Sequence, residues 1–236
     1  MVSLPDTLEA AIAQSVEATQ RAIASGRNRL QIEYLFPELK PMPVAKQYLD
    51  LLEQQIPDLG SQVKVFFSDA GAAALARRDW GETPYRIYGL DELLEPVQPE
   101  DDAFVIVAPT PVEIAIVEKI TTQSDTRPCI FLNPKFQDVA IIGIGYAGRQ
   151  LRERFLSTLE SCYCLRPLDQ GAVFRAYPQP WQVWWEVEEE YKLLSETPER
   201  PTGEELDQII AQAFPAQTKK GGLLQELQQF LKALSQ

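Results

Sequence analysis

Two short runs constrain this chain most: Ala103-Phe-Val-Ile-Val107 and Cys129-Ile-Phe-Leu132. Neither alternates polar and apolar residues, so neither suits a sheet with one wet face. Each reads as a strand buried on both faces of a parallel sheet. Between them Val112, Ile116, Val117 and Ile120 recur at helical spacing. Ala108-Pro-Thr-Pro111 and Asn133-Pro134 close the two strands. Strand, helix, strand is the unit from which a doubly wound α/β domain is built.

The same alternation is legible upstream. Asp6 with Glu9 three residues later predicts an N-cap and capping box; Leu8, Ile12, Val16, Thr19 and Ile23 line one helical face, and Gly26 suits the stop. Further strands are predicted over 29–36, 62–67 and 85–88, with helices over 44–55 and 70–78. The predicted core holds Ile32, Val65, Val105, Val107, Phe131 and Leu132. Ligands of such sheets lie beyond the carboxyl ends of the strands, which here carry Glu33, Pro109, Thr110 and Asn133.

Downstream the pattern changes. Leu151, Phe155, Leu156 and Leu159 make a helical apolar stripe, with Arg149, Arg152 and Arg154 on the other face. Strands over 162–166 and 172–177 are joined by Pro167-Leu-Asp-Gln-Gly171, too short for a crossover, so they pair antiparallel. Cys162 and Cys164 alternate around Tyr163 and are expected on one strand face as a buried, reduced pair. A third strand covers 181–187. From Glu186 to Asp207 there are nine acidic and two basic residues, and Pro198, Pro201, Gly203 and Pro215 read as a tether with one short helix. Leu223, Leu224, Leu227, Phe230, Leu231 and Leu234 form a last amphipathic helix, free to dock in cis or in trans. The expected division is residues 1–197 as the α/β domain, with a largely parallel central sheet and an antiparallel C-terminal hairpin, and 198–236 as tether and helix.

Composition narrows function. A net charge of −12 argues against a nucleic-acid partner. Histidine is absent, which removes Ser-His-Asp and Cys-His relays and His-ligated metals, and three cysteines are too few for a four-thiolate site. No metal or cofactor is therefore expected. No apolar run reaches the ~20 residues of a membrane helix. Met-Val-Ser-Leu-Pro-Asp is neither a secretory signal nor an organelle leader, so a cytoplasmic location is expected.

One stretch offers an enzyme reading. Asp138-Val-Ala-Ile-Ile-Gly-Ile-Gly-Tyr-Ala-Gly148 resembles a dinucleotide turn through Gly143, Gly145 and Gly148, with Asp169 placed 21 positions later as a ribose-binding acid. An oxidoreductase would follow. Against it, Asp169 falls in a hairpin turn, several strand-helix units precede the glycines, and Arg152 stands where a small side chain is usual. A close-packed bend between strand and helix is the reading preferred. The second candidate is an interaction surface: Trp181, Trp184 and Trp185, clustered with Tyr191, with Trp181 and Trp185 on one strand face and Trp184 on the other, and the Arg149/Arg152/Arg154 face for an acidic partner.

A set of ordered segments adds a resemblance. Leu4-Pro5, Arg29-Leu-Gln-Ile-Glu-Tyr-Leu-Phe-Pro37, Phe131-Leu-Asn-Pro134, Gly148-Arg-Gln-Leu-Arg-Glu-Arg-Phe155 and Tyr163 through Trp181 together resemble an uncharacterised domain family of cyanobacteria and chloroplasts. That family includes the low photosystem II accumulation assembly factors, and a related domain is appended to some chloroplast adenylate kinases. The resemblance spans about residues 3 to 194 and brings no catalytic residues. It implies a non-catalytic photosystem biogenesis factor of cyanobacterial type. Such a factor would bind a photosystem II subunit or another assembly factor, peripherally at the cytoplasmic face of the thylakoid.

Overall fold

The computed structural model describes residues 3–56, 59, 62–136, 146–188 and 190–214, with backbone alone for 146–148. Helix and strand alternate through α1 (Leu8–Ala24), β1 (Arg29–Tyr34), α2 (Pro41–Gln55), β2 (Val63–Phe67), α3 (Ala70–Trp80) and β3 (Arg86–Gly89). Next come β4 (Ala103–Val107), α4 (Ile114–Gln123), β5 (Cys129–Leu132) and α5 (Tyr146–Arg154). Four strands follow, β6 (Glu160–Leu168), β7 (Gly171–Ala176), β8 (Trp181–Val187) and β9 (Glu190–Thr197), then α6 (Gly203–Ala213). One sheet holds all nine described strands in the order β3-β2-β4-β5-β1-β6-β7-β8-β9. From β3 to β6 every pairing is parallel, and from β6 to β9 every pairing is antiparallel.

The parallel half is covered on both faces. On the first face α1, α2 and α3 pack over Leu30, Ile32, Val65, Val105 and Ile130. On the second, α4 and α5 pack over Phe66, Phe104, Ile106 and Phe131. Phe131, Phe136 and Phe155 meet edge-on there with ring centroids 6.1 to 6.3 Å apart. Every residue of β4 and β5 is buried, as their unbroken apolar runs require. The predicted core residues are buried throughout.

Local details depart from the sequence reading in three places. The N-cap of α1 is Thr7 rather than Asp6: the Thr7 hydroxyl accepts from Ala10 N at 3.1 Å, so the helix starts one residue later. Cys162 and Cys164 do not share a face. Ser161 pairs with Gln31 and Tyr163 with Ile32, which leaves Cys162 as the extra residue of a bulge. Cys162 therefore joins the first-face core and Cys164 the second-face cluster. All three cysteines are free thiols and buried. Lastly, the acidic stretch after Val187 holds a strand that the sequence reading did not place, and the helix after it is packed on the sheet. Residues 190–197 form β9, paired antiparallel to β8, and Leu206 of α6 is buried with Cys164, Val173, Trp181 and Val183. Its acidity hides the strand, because an edge strand can send its charges to solvent and still complete a ladder.

A buried ionic knot braces the amino ends of β2 and β3. Asp101, its side chain fully enclosed, accepts from Lys64 Nζ at 2.8 Å and from Arg86 Nη2 at 2.7 Å. Lys64 Nζ also donates to Pro96 O at 3.1 Å, which fastens the long connection between β3 and β4.

Burial raises the acid groups of the core. Desolvation pushes the Cys129 thiol up to about 11 and Cys162 up to about 12, and it raises Tyr34 and Tyr48 above their ordinary range. Below the ordinary thiol value of 9.0 both folded and unfolded chains hold these protons, and stability is complete. Above it the unfolded chain releases protons that the folded chain keeps, so unfolding is favoured as pH rises. Urea unfolding should give a flat stability up to about pH 8 and a decline from about pH 9 to 11, each thiol contributing up to about 1.4 kcal/mol per pH unit. A profile unchanged at pH 10.5 would contradict this account of the core.

Candidate functional site: an apolar edge beyond the strand ends

The residues singled out by sequence are scattered, and most already have structural work. Gly143 and Gly145 lie outside the described residues. Gly148 is the third residue of α5, and Asp169 is exposed in the β6–β7 turn. Thr110 caps the turn after β4: its hydroxyl accepts from Val112 N at 3.3 Å, and Glu113 closes the box back to Thr110 N at 2.7 Å. Asn133 takes a left-handed backbone, φ 48°, and its amide imitates a strand partner. Oδ1 accepts from Tyr34 N at 2.7 Å and Nδ2 donates to Tyr34 O at 3.3 Å, extending the β1–β5 ladder by one residue.

Glu33 is 1% exposed on the second face. It accepts from Arg200 Nη1 at 3.2 Å. The Arg200 guanidinium lies over the Trp181 ring at 5.3 Å, and Arg175 lies over the same ring at 5.5 Å. Cys164 faces this group; burial first, then the Glu33 carboxylate, raises its thiol well above the ordinary value. The segment after β9 is thus fastened to β1 through one buried carboxylate.

The three tryptophans take three roles. Trp181 is buried beneath the two guanidiniums. Trp185, on the same face of β8, meets Phe214 at the end of α6 with centroids 6.2 Å apart. Trp184 points to the first face, where its Nε1 donates to Gln182 Oε1 at 3.0 Å. The alternation read from sequence is the one observed. Arg149, Arg152 and Arg154 are exposed on α5. Arg154 forms a two-pronged pair with Glu118 of α4, at 2.8 and 3.0 Å. Helix α5 lies over β4 and β5, whereas the tryptophans are on β8, with β1, β6 and β7 between. At ~4.8 Å per strand the two groups stand roughly 19 Å apart. They do not form one patch.

Geometry instead points to the carboxyl edge of β1. From β1 the chain passes to the first face, and from its neighbour β5 to the second, which makes the gap between them a switch point of the sheet. A crevice of about 330 Å³ opens there between Tyr34, Phe36, Leu39, Pro41, Asn133 and Lys135. Through Phe36 and Leu39 it joins a larger groove of about 470 Å³. The groove is lined by Leu4, Pro5 and Leu8 at the start of α1, by Leu165, Pro167 and Ala172 on the hairpin, and by Tyr191. Among the described residues the lining is almost wholly apolar, with Asp6 its one carboxylate. Beside it, Trp184 of β8 pairs with Leu193 of β9, and Tyr191 and Leu193 are 50% and 37% exposed. Among the described helices α1 is the last on this face, and it packs on β1, β6 and β7. Sequence reasoning missed Phe36 and Leu39, because nothing in their local pattern marks them as facing an open groove; Tyr191 stands out in sequence only through its nearness to the tryptophans.

A family model described as a domain of unknown function, DUF1995, matches residues 5–208. The chain belongs to the DUF1995 family. The match takes in the whole sheet, every residue named in the groove lining except Leu4, and the first half of α6. No solved structure matches the chain. Among the described residues no helix is long and apolar enough to cross a membrane.

Two stability predictions follow from the fixed polar groups of this DUF1995 chain. Asn133→Gly keeps the left-handed backbone but loses both amide bonds, and should cost about 1–2 kcal/mol. Asn133→Ala adds left-handed strain, so urea titrations should place it about 1 kcal/mol below the glycine variant. Equal losses would show that the backbone is not strained. Arg200→Ala removes the guanidinium that faces the buried Glu33 carboxylate and should cost about 2–3 kcal/mol, part of which Glu33→Gln restores in the same background. If the double variant is no more stable than Arg200→Ala, the pair is not coupled.

Proposed function

We propose that this DUF1995 protein is a non-catalytic binding factor in photosystem biogenesis, acting on a photosystem II subunit or another assembly factor at the cytoplasmic face of the thylakoid. One observation carries the binding role: an apolar groove runs into a sheet face that exposes Tyr191 and Leu193 beside the half-buried Trp184. Contiguous apolar surface of this kind marks a protein partner, and aromatic side chains supply most of the binding energy in such contacts. The polar groups at the strand ends support the same reading. Thr110 and Asn133 are committed to backbone, and Glu33 to Arg200, so they hold the fold rather than a substrate. The biogenesis role rests on the ordered segments from Leu4-Pro5 to Trp181, which resemble the photosystem II assembly factors.

The placement of the tryptophans changes which residues should matter. Trp181 and Trp185 act within the fold, while Trp184, Tyr191 and Leu193 belong to the binding face. Arg149, Arg152 and Arg154 offer a separate basic face for acidic groups on the partner, acting mainly on association rate and salt dependence. Affinity capture from solubilised thylakoids tests both parts. The native protein should recover a photosystem subunit or assembly component. Trp184→Ala and Tyr191→Ala/Leu193→Ser should each reduce recovery about tenfold or more, the equivalent of about 1.4 kcal/mol. Arg152→Glu/Arg154→Glu should weaken capture chiefly at low salt. Recovery of no such component sinks the biogenesis role. Undiminished recovery with folded groove variants moves the contact elsewhere.

A further inference from the structure

We propose that residues 223–234 of the same chain dock as a helix in the apolar groove beside Tyr191, shielding it until a partner displaces them. This inference rests on the reading of that groove as the partner surface, and adds its regulation. Three observations carry it. First, the chain is delivered to the right place. Helix α6 ends at Phe214 against Trp185; Trp185 pairs with Gly171, and Gly171 lines the groove. Residues 215–222 lie between Phe214 and Leu223, and eight residues reach up to roughly 26–29 Å. Passing from one helical layer to the other around the sheet margin needs about 20 Å.

Second, the chemistry matches. Leu223, Leu227, Phe230, Leu231 and Leu234 recur as one helical face, the shape that an apolar groove flanked by α1 accepts. Twelve residues make a helix about 18 Å long, and the groove with the Trp184/Leu193 face beside it spans the hairpin strands. Third, the charges are complementary. The stretch 215–236 carries Lys219, Lys220 and Lys232 against Glu226 alone, within a chain of net charge −12. Asp6 lines the groove, Glu186 faces the lining residue Tyr191 across the β8–β9 pair, and Asp169 lies in the turn between the lining residues Pro167 and Gly171.

Hydrogen–deuterium exchange on the full chain tests this directly. At low micromolar concentration, amides of 223–234 should exchange at least tenfold more slowly than in a free peptide of residues 215–236. Both Leu4→Glu/Tyr191→Glu in the groove and Leu227→Glu/Leu231→Glu in the segment should return them to the peptide rate, while β4 and β5 keep their protection. Wild-type exchange at the peptide rate overturns the proposal, as does protection that survives the groove pair. Protection that grows with protein concentration and accompanies a sedimenting dimer assigns the segment to a second copy, and also overturns it. Thylakoid capture separates the two readings. Leu227→Glu/Leu231→Glu should raise recovery of the partner severalfold; a protected segment with no partner captured fails the biogenesis role alone, and capture with an unprotected segment fails the docking alone.

Discussion

Every parallel neighbour in this sheet has to be reached by a crossover, and a crossover brings a helix onto one face or the other. From β3 to β6 that rule covers both faces and creates a fully enclosed centre. From β6 onward the chain extends the sheet by hairpins, which bring no helix with them. The second face of the extension is covered because α6 folds back, held through Leu206 and the Arg200–Glu33 contact. On its first face α1 packs over β6 and β7, and among the described residues no further helix follows it toward β9. The exposed aromatic face and the groove arise where the sheet changes from crossover to hairpin construction.

That change was legible at the level of elements. The unbroken apolar runs at 103–107 and 129–132 carry their burial in their composition, since a strand enclosed on both sides has no room for polar alternation. The short link from Pro167 to Gly171 dictated antiparallel pairing by length alone. The strand β9 was not legible, because Glu190, Lys192 and Glu196 read as a solvated stretch when no partner strand is in view. The bulge at Cys162 was equally hidden: a single extra residue reverses facing, and no local signature distinguishes it from regular alternation.

For the site, sequence reasoning found chemistry-bearing residues but not their grouping. The three tryptophans drew notice by density, and the alternation along β8 was read correctly. Their separation into a buried ring under two guanidiniums, a contact for Phe214 and a component of the open face depends on which layers cover β8. Those layers come from residues tens of positions away. The groove itself draws on Leu4, Phe36, Leu165 and Tyr191, four places brought together solely by topology.

The way α6 closes the second face also bears on where the DUF1995 unit physically ends. The family match stops at residue 208, midway through the helix Gly203–Ala213. Ile209 and Ile210 pack on the cluster around Val173 and Trp181, and Phe214 meets Trp185 just beyond the helix. A boundary drawn by sequence similarity thus passes through a packed element. A polypeptide cut there would uncover the outer tryptophan and lose two of the three aliphatic residues that α6 sets against the sheet. The smallest unit that keeps its own hydrophobic layer intact runs to Phe214.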